Sequence, residues 1–466
     1  MVWYHEAIFY HIYPLGMLNA EKYNPHQFIK HRLNELYSWI DHIKTLGCNA
    51  ILLGPVFESS SHGYDTIDYK KVDSRLGSND DLKDFIKTCH QQGIKVILDG
   101  VFNHVGRDFF AFQDLKSNRE NSSYVNWFNH VNFKKNNSYH DGFCYDNWGG
   151  HDALVKLNQK NSEVINYIKE VLTFWIEEFD IDGIRLDAAD VLNLKYIEQI
   201  RKTTNVLKRE FFLMGEVVHG KYGKWISSDR LHSVTNYVLH EALYSSHNEH
   251  NYEKIIHALN YVNNSVKDLR KLYLFVDNHD VTRIYSKLTN KIHFIHVHIL
   301  LFTLQGIPSI YYGSEFAISG KKQRYNDDLL RPALNYHDYY IARYKNLYTR
   351  FIMILIKLRK ANQALIYGNF KVLYVNKYTL VFVRSYQNNE VIIALNNSNY
   401  DDTIEICCRR SNYVAVFANQ KIKAKNKKLK IILKANRCEL YINQLDCSYE
   451  LEHEIYQAMI QGGSYD

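Results

Sequence analysis

The sequence predicts an α/β chain: a closed (β/α)8 TIM barrel with a lobe inserted after its third strand and an antiparallel β-sandwich appended behind it. Three observations lead there. Short runs rich in Val, Ile and Leu alternate with helical patterns, polar residues gather at the carboxyl ends of several of those runs, and from about residue 370 the helices give way to short alternating strands. A near-continuous apolar run is what a parallel strand buried on both faces requires, and parallel strands need helices as crossovers.

AIFYHIYP (7–14) reads as the first strand, a helix is expected through FIKHRLNELYSWIDHIKTLG (28–47), and NAILLGPVF (49–57) is the second strand. The helix DLKDFIKTCHQQG (81–93) leads to the third strand, IKVILDGVFNH (94–104). The rhythm then breaks for about fifty residues rich in Asn, Tyr, Phe and Trp. Insertions of this length are usually functional or disordered. Trp127, Phe128, Tyr145 and Trp148 argue for an ordered lobe over one edge of a site. Order resumes with helix 162–179, strand GIRLDAA (183–189), helix 197–209 and strand FFLMGEV (211–217). SVTNYV, LYLFVDNHD and IPSIYYG add strands near 233, 272 and 307, each strand being followed by a plausible helix. Eight such units favour a closed barrel over an open doubly wound sheet. The expected division is therefore barrel at 1–104 and 156–367, lobe at 105–155, sandwich at 368–447, and a tail at 448–466 with a short helix and a loose end.

With 466 residues the chain needs no covalent staples, and its seven cysteines show neither CxxC pairs nor regular spacing, which argues against a disulfide framework or a zinc site. The net charge of +7 is mild for this length. Its one basic run, KIKAKNKKLK (421–430), alternates lysines with uncharged residues and lacks aromatics. That pattern reads as the solvated face of an edge strand, so no nucleic-acid partner is expected. No stretch is apolar and long enough to span a bilayer, and MVWYHEAIFY shows no basic region followed by an apolar run, so no membrane partner and a cytoplasmic location are expected. The 37 tyrosines suit surfaces that bind polar, ring-shaped ligands. The oligomeric state stays open.

The chemistry lies at the strand ends. In FDIDGIRLDAAD (179–190), Arg185 and Asp187 stand two apart on a strand and so share a face, opposite Ile184 and Leu186. Asn103 and His104 close strand three, Glu216 ends strand five, and His279 with Asp280 end strand seven. Taken singly each has a structural explanation: an ion pair, a helix cap, a core histidine, and for Asp99 a brace against the barrel wall. Asp99 keeps that structural reading; the convergence of the others on one mouth is what packing alone does not require. Three carboxylates in one cleft fit divalent metal binding or glycosyl transfer. Metal-assisted phosphoryl sites want closely spaced acids with Lys or Gly-rich loops, and none follows these strands. In a glycosyl-transfer reading, Arg185 keeps Asp187 ionised for attack, the apolar FFLM before Gly215 keeps Glu216 protonated, and Asp280 offsets developing positive charge.

DGVFNH (99–104), GIRLDAAD (183–190), GEVVHG (215–220) and FVDNHD (275–280) closely resemble the four conserved stretches of the α-amylase family of glycoside hydrolases, in the family's order. HGYDTIDYKKVDSRLG (62–77) and LVKLN (154–158) add to the likeness, which spans residues 4 to about 333. The resemblance implies a barrel with lobe and C-terminal sandwich. It implies Asp187 as nucleophile, Glu216 as general acid/base and Asp280 as transition-state stabiliser, with Tyr64 stacking under the reacting sugar and His104, Arg185 and His279 contacting its hydroxyls or the nucleophile. Asp328 and Arg331 in NDDLLRPAL (326–334) resemble residues that contact the next glucose, with Leu330 where a second arginine is common. The implied activity is retaining hydrolysis of α-glucosidic, mainly α-1,4, bonds in maltodextrins; transglycosylation by the same intermediate, and more remotely a non-catalytic binding homologue, are the alternatives. Where calcium-bearing members have Ala-Lys-His after the nucleophile, this chain has Ala189-Asp190-Val191, so the usual calcium is not expected and no cofactor is predicted. LVKLN is similar to the MPKLN of neopullulanases and cyclomaltodextrinases, which often carry an extra N-terminal domain; none is expected here.

Overall fold

The computed structural model describes residues 2–219, 221–324, 326–443 and 448–461. The last residue of GEVVHG, the end of the expected sandwich at 444–447 and the tail beyond 461 lie outside the described residues. Eight parallel strands close into a barrel: β1 (Phe9–Ile12), β2 (Ala50–Leu53), β3 (Lys95–Gly100), β4 (Gly183–Leu186), β5 (Phe212–Gly215), β6 (Ser233–Thr235), β7 (Leu272–Phe275) and β8 (Ile307–Tyr311). They follow one another around the wall in chain order, and β1 closes on β8 with Phe9 opposite Ser309.

Period two along each strand divides the molecule into layers. Outward residues such as Tyr10, Ile12, Ile51, Leu53, Val96 and Leu98 join the large core beneath the helices. Inward residues Phe9, Leu52, Ile97, Phe212, Met214, Tyr273, Phe275 and Ile307 fill the lower barrel. Burying each such side chain contributes roughly 1.5–3 kcal/mol. Two residues further along the strands the same inward column turns polar: Phe9 is succeeded by His11, Ile97 by Asp99, and Met214 by Glu216. The apolar plug is thus a floor on which the polar layer stands.

Two expectations on local structure change. The helix foreseen from residue 28 begins at Leu36 after a 3-10 turn at Arg32–Glu35, and residues 18–31 form a long loop. No α-helix follows β5 among the described residues; the chain reaches β6 through a loop with a 3-10 turn at Tyr222–Lys224.

After β3, His104–Gly106 pairs with His151–Lys156, which pairs with Asn147–Trp148, in a small antiparallel sheet beside the mouth. The C-terminal region is a six-stranded antiparallel sheet facing a two-stranded one, Asp402–Cys407 with Lys428–Leu433. Val381, Val383, Ile392 and Ala394 pack against Ile404, Ile406, Leu429 and Ile431 between them. The alternate residues Leu380, Phe382, Val391 and Ile393 face the barrel's helices. Gln420–Lys423 forms an outer edge of the larger sheet, with Lys421 and Lys423 exposed.

The joint between the two regions is polar at its centre. Arg384 reaches the Thr303 carbonyl at 2.5 Å, and Arg359 reaches those of Phe302 and Gly306 at 2.8 and 2.7 Å. Beside them, the buried rings of His247, His293 and His296 lie within 5.7 Å of one another, centroid to centroid. Tyr252 Oη joins His247 and His296 at 3.2 and 3.0 Å, and His293 Nε2 meets Asn436 Oδ1 at 2.9 Å. No helix among the described residues is long and apolar enough to cross a membrane.

Candidate active site

At the carboxyl ends of the strands a cleft of about 1060 Å³ is lined by Tyr64, His104, Asp187, Glu216, Asp280 and Arg331, among others. Arg185, 4% exposed, is the hub beneath it. Its Nη1 donates to both Asp99 oxygens at 2.7 and 2.6 Å and to Asp187 Oδ1 at 3.4 Å, while Nη2 lies 3.0 Å from Glu216 Oε2. Parallel registry explains the first pair, because Asp99 on β3 lies directly opposite Arg185 on β4. Asp187 and Glu216 therefore flank one guanidinium.

Glu216 is held by further donors. The Ala188 amide donates to Oε2 at 3.1 Å and Tyr237 Oη to Oε1 at 3.1 Å. Ala188 itself has a left-handed backbone, with φ 46° and ψ 42°. Asn278 donates to Tyr237 Oη at 3.0 Å and accepts from the Asp280 amide at 2.9 Å, linking the supports of two acids. The surroundings foreseen for Glu216 were apolar; they are buried but polar.

Electrostatics separate the acids. Burial and the neighbouring Glu216 carboxylate push Asp187 well above the usual carboxylate range, against the pull of Arg185. The expectation that Arg185 keeps Asp187 ionised is altered by Asp99, which takes the shorter contacts of the guanidinium. Burial also works to raise Asp280, but His279 and Arg331 outweigh it and hold that carboxyl well below its ordinary value. His279 Nε2 lies 2.9 Å from Asp280 Oδ2, and Arg331 Nη2 lies 2.9 Å from Oδ1. Tyr64 donates to Asp99 at 3.1 Å, meets His279 Nε2 at 2.5 Å and lies parallel to that ring at 5.6 Å. Burial lowers His104 to about 4, so its ring is neutral; its Nε2 has no hydrogen-bond partner in the protein.

Tyr64, His104, Asp187, Glu216, Asp280, Asp328 and Arg331 line the cleft, and Arg185 and His279 contact its acids from beneath, with one difference in pairing at the rim. Arg331 meets Asp327 at 3.2 Å, one turn back in the chain, while Asp328 faces Lys22 at 2.5 Å. The 3-10 turn Asp328–Leu330 accounts for this by burying Leu330 and directing Asp328 outward. Residues that sequence reasoning missed include His11, whose ring sits 5.2 Å from His279, and Tyr13, which lies parallel to His279 at 5.7 Å. Tyr237 also went unassigned, and Trp148, expected only as part of the lobe, lies parallel to His104 at 6.2 Å. Period two from Phe9 could have found His11; the others carry no local signal.

Asn103 Oδ1 accepts from Gln159 Nε2 at 3.1 Å, and Gln159 in turn accepts from the Asn193 amide at 2.7 Å. That bond fills one of the two acceptor positions of the oxygen, and Val191 stands in the place of the histidine of calcium-bearing members. Among the described residues no group of three or more His, Cys, Asp or Glu is arranged to hold a metal.

The chain matches the family description "Alpha amylase, catalytic domain" over residues 32–336 and "Alpha-amylase C-terminal domain" over residues 368–441. A cyclomaltodextrinase of Thermoanaerobacter pseudethanolicus is 32% identical over 431 residues, 86% of this chain and 72% of the relative. An intracellular maltogenic amylase of Bacillus subtilis is 28% identical over 384 residues, 78% of this chain and 63% of the relative. A solved cyclomaltodextrinase structure superposes with a TM-score of 0.84 at 25% identity, covering 95% of this chain and 78% of that one.

Proposed function

Because the chain belongs to the α-amylase family of glycoside hydrolases, we propose that this cleft hydrolyses α-1,4-glucosidic bonds of short or cyclic maltodextrins with retention at the anomeric carbon. The observation that carries the reading is the meeting of Asp187 and Glu216 on one guanidinium, with Asp280 held ionised beside them.

A retaining hydrolase needs one carboxylate to attack and one carboxylic acid to donate, that is, one proton between two groups. Tyr237 and the Ala188 amide aim Glu216 into the cleft as the donor of that proton, and Asp187 stands across the shared guanidinium as the attacking group. Glu216 protonates the departing glycosidic oxygen as Asp187 attacks the anomeric carbon to form a covalent glucosyl ester. Glu216 then takes a proton from water, and the attack of that water on the anomeric carbon releases Asp187. The ionised Asp280 offsets positive charge on the sugar ring in both transition states. His104, whose buried Nε2 has no partner in the protein, and Tyr64 both line the cleft, where they suit contacts to the sugar. No step requires a metal or cofactor.

The relative named intracellular and the free thiols of Cys48, Cys89 and Cys438, all buried, support a cytoplasmic location.

Proton NMR of maltoheptaose cleavage is expected to show the α-anomer appearing first, followed by mutarotation, at the same rate with and without EDTA. Initial release of the β-anomer would refute retention, and loss of activity in EDTA would refute the metal-free reading.

A further inference from the structure

Resting on the glucan-hydrolase reading above, we infer that Lys22 and Asp328 form an end wall of the cleft, one that fixes how many sugars fit on that side of the scissile bond. Residues 19–23, from the loop after β1, line one side of the cleft, and residues 326–328, from the loop after β8, line the other. The pair joins them: Lys22 Nζ donates to Asp328 Oδ2 at 2.5 Å. Asp328 is three residues from Arg331, whose Nη2 touches both Asp280 and Asp327, so the wall stands directly beyond the reacting acids.

Both loops are held firmly. Arg75, 1% exposed and paired with Asp73 at 2.7 Å, donates to the carbonyls of Glu21 at 2.7 Å and Lys22 at 3.4 Å. Arg32 and Lys30 grip the Glu21 carboxylate, and the Asn24 amide donates to the Ser60 carbonyl at 2.9 Å. On the facing side, the Leu330 carbonyl accepts from Arg283 at 2.9 Å and from Tyr311 at 3.0 Å. Their roots also press together, since a Cβ on Gly16, in the helical turn Pro14–Met17 that precedes the first loop, would stand 2.4 Å from the Arg331 carbonyl oxygen. The backbone supplies the rigidity, and the ion pair closes the gap and offers its ammonium and carboxylate to the hydroxyls of a terminal glucose. Its side chains are 71% and 56% exposed, so exchanging them leaves the core untouched.

The ligand class is one end of a linear α-1,4-glucan, and the consequence is cleavage at a fixed distance from that end. The test follows the first cuts in maltoheptaose labelled at its reducing end, read by chromatography before any second cut, in the wild type, K22E and the charge-swapped K22E/D328K. The wild type is expected to yield one dominant fragment length. K22E, which sets two carboxylates face to face, should lower the ratio of that fragment to all others by about fivefold, the factor an exposed ion pair at the top of its usual range commands. The swapped pair should restore the ratio. A loss of loop structure would instead lower both variants alike, and K22M separates loss of the pair from repulsion. An unchanged ratio in K22E, no recovery in the swap, or even cutting along the chain by the wild type overturns the wall. Failure of the wild type to cleave any of maltoheptaose, cyclodextrin or pullulan overturns the hydrolase reading and the wall with it.

Discussion

Replacing Asp187 by asparagine is expected to lower kcat on maltotriose by at least about 10⁴-fold, because the amide keeps the shape of the side chain and cannot form the glycosyl ester. The thermal midpoint is expected to hold or rise. Burial and Glu216 both disfavour a charge on Asp187, so the folded state gains when that charge is removed. Activity and stability should thus move independently, which distinguishes loss of a nucleophile from loss of a fold. Timed chromatography of maltotriose products beside a melting curve decides it, and turnover within tenfold of the wild type would remove Asp187 from the role.

The second large effect concerns pH. Stability is expected to decline steeply as pH falls from about 6.5 toward 4, with the polar joint behind the barrel as the weak point. Burial first, and then the neighbouring histidines, lower His247 to about 3 and hold His296 well below its ordinary value; burial lowers His293 to about 4. Arg437 acts on His296 in the same sense. A histidine whose pKa is depressed on folding binds more protons when unfolded, so its contribution is fully present above about 6.5 and is lost as pH descends toward the folded value. The slope reaches about 1.4 kcal/mol per pH unit for each such group. His232 and His240, at about 3, and His298, at about 4, add with the same sign. Urea midpoints measured from pH 8 to 4 should trace the fall, and H293Q, which keeps a donor for Asn436, should flatten it. A midpoint constant down to pH 4.5 would contradict the assignment.

How much of this was legible in the sequence depended on whether the cause was local. The strands were readable because burial on both faces demands uninterrupted apolar runs, and Arg185, Asp187, Glu216 and Asp280 were readable because a period of two and a strand end are properties of adjacent residues. Asp99 was undervalued for the opposite reason. Only the registry of β3 against β4 brings it to Arg185, and a single chain segment carries no trace of that pairing. Residues 28–35 looked helical, yet Phe28 is 78% exposed and the Lys30 amide donates to the Ser74 carbonyl. Tertiary hydrogen bonds there replace the helical ladder that the composition favoured. Tyr237 and Trp148 likewise acquire their places from how the chain returns across the barrel mouth.

The left-handed turn at Ala188 has an implication for engineering. An alanine held there costs about 1–2 kcal/mol that a glycine would not, so substitution by glycine is the obvious route to a sturdier chain. The same slackness would unfix the amide that steadies Glu216. Ruggedness and aim are coupled at this one residue, and a screen for heat tolerance alone would select variants that shoot wide.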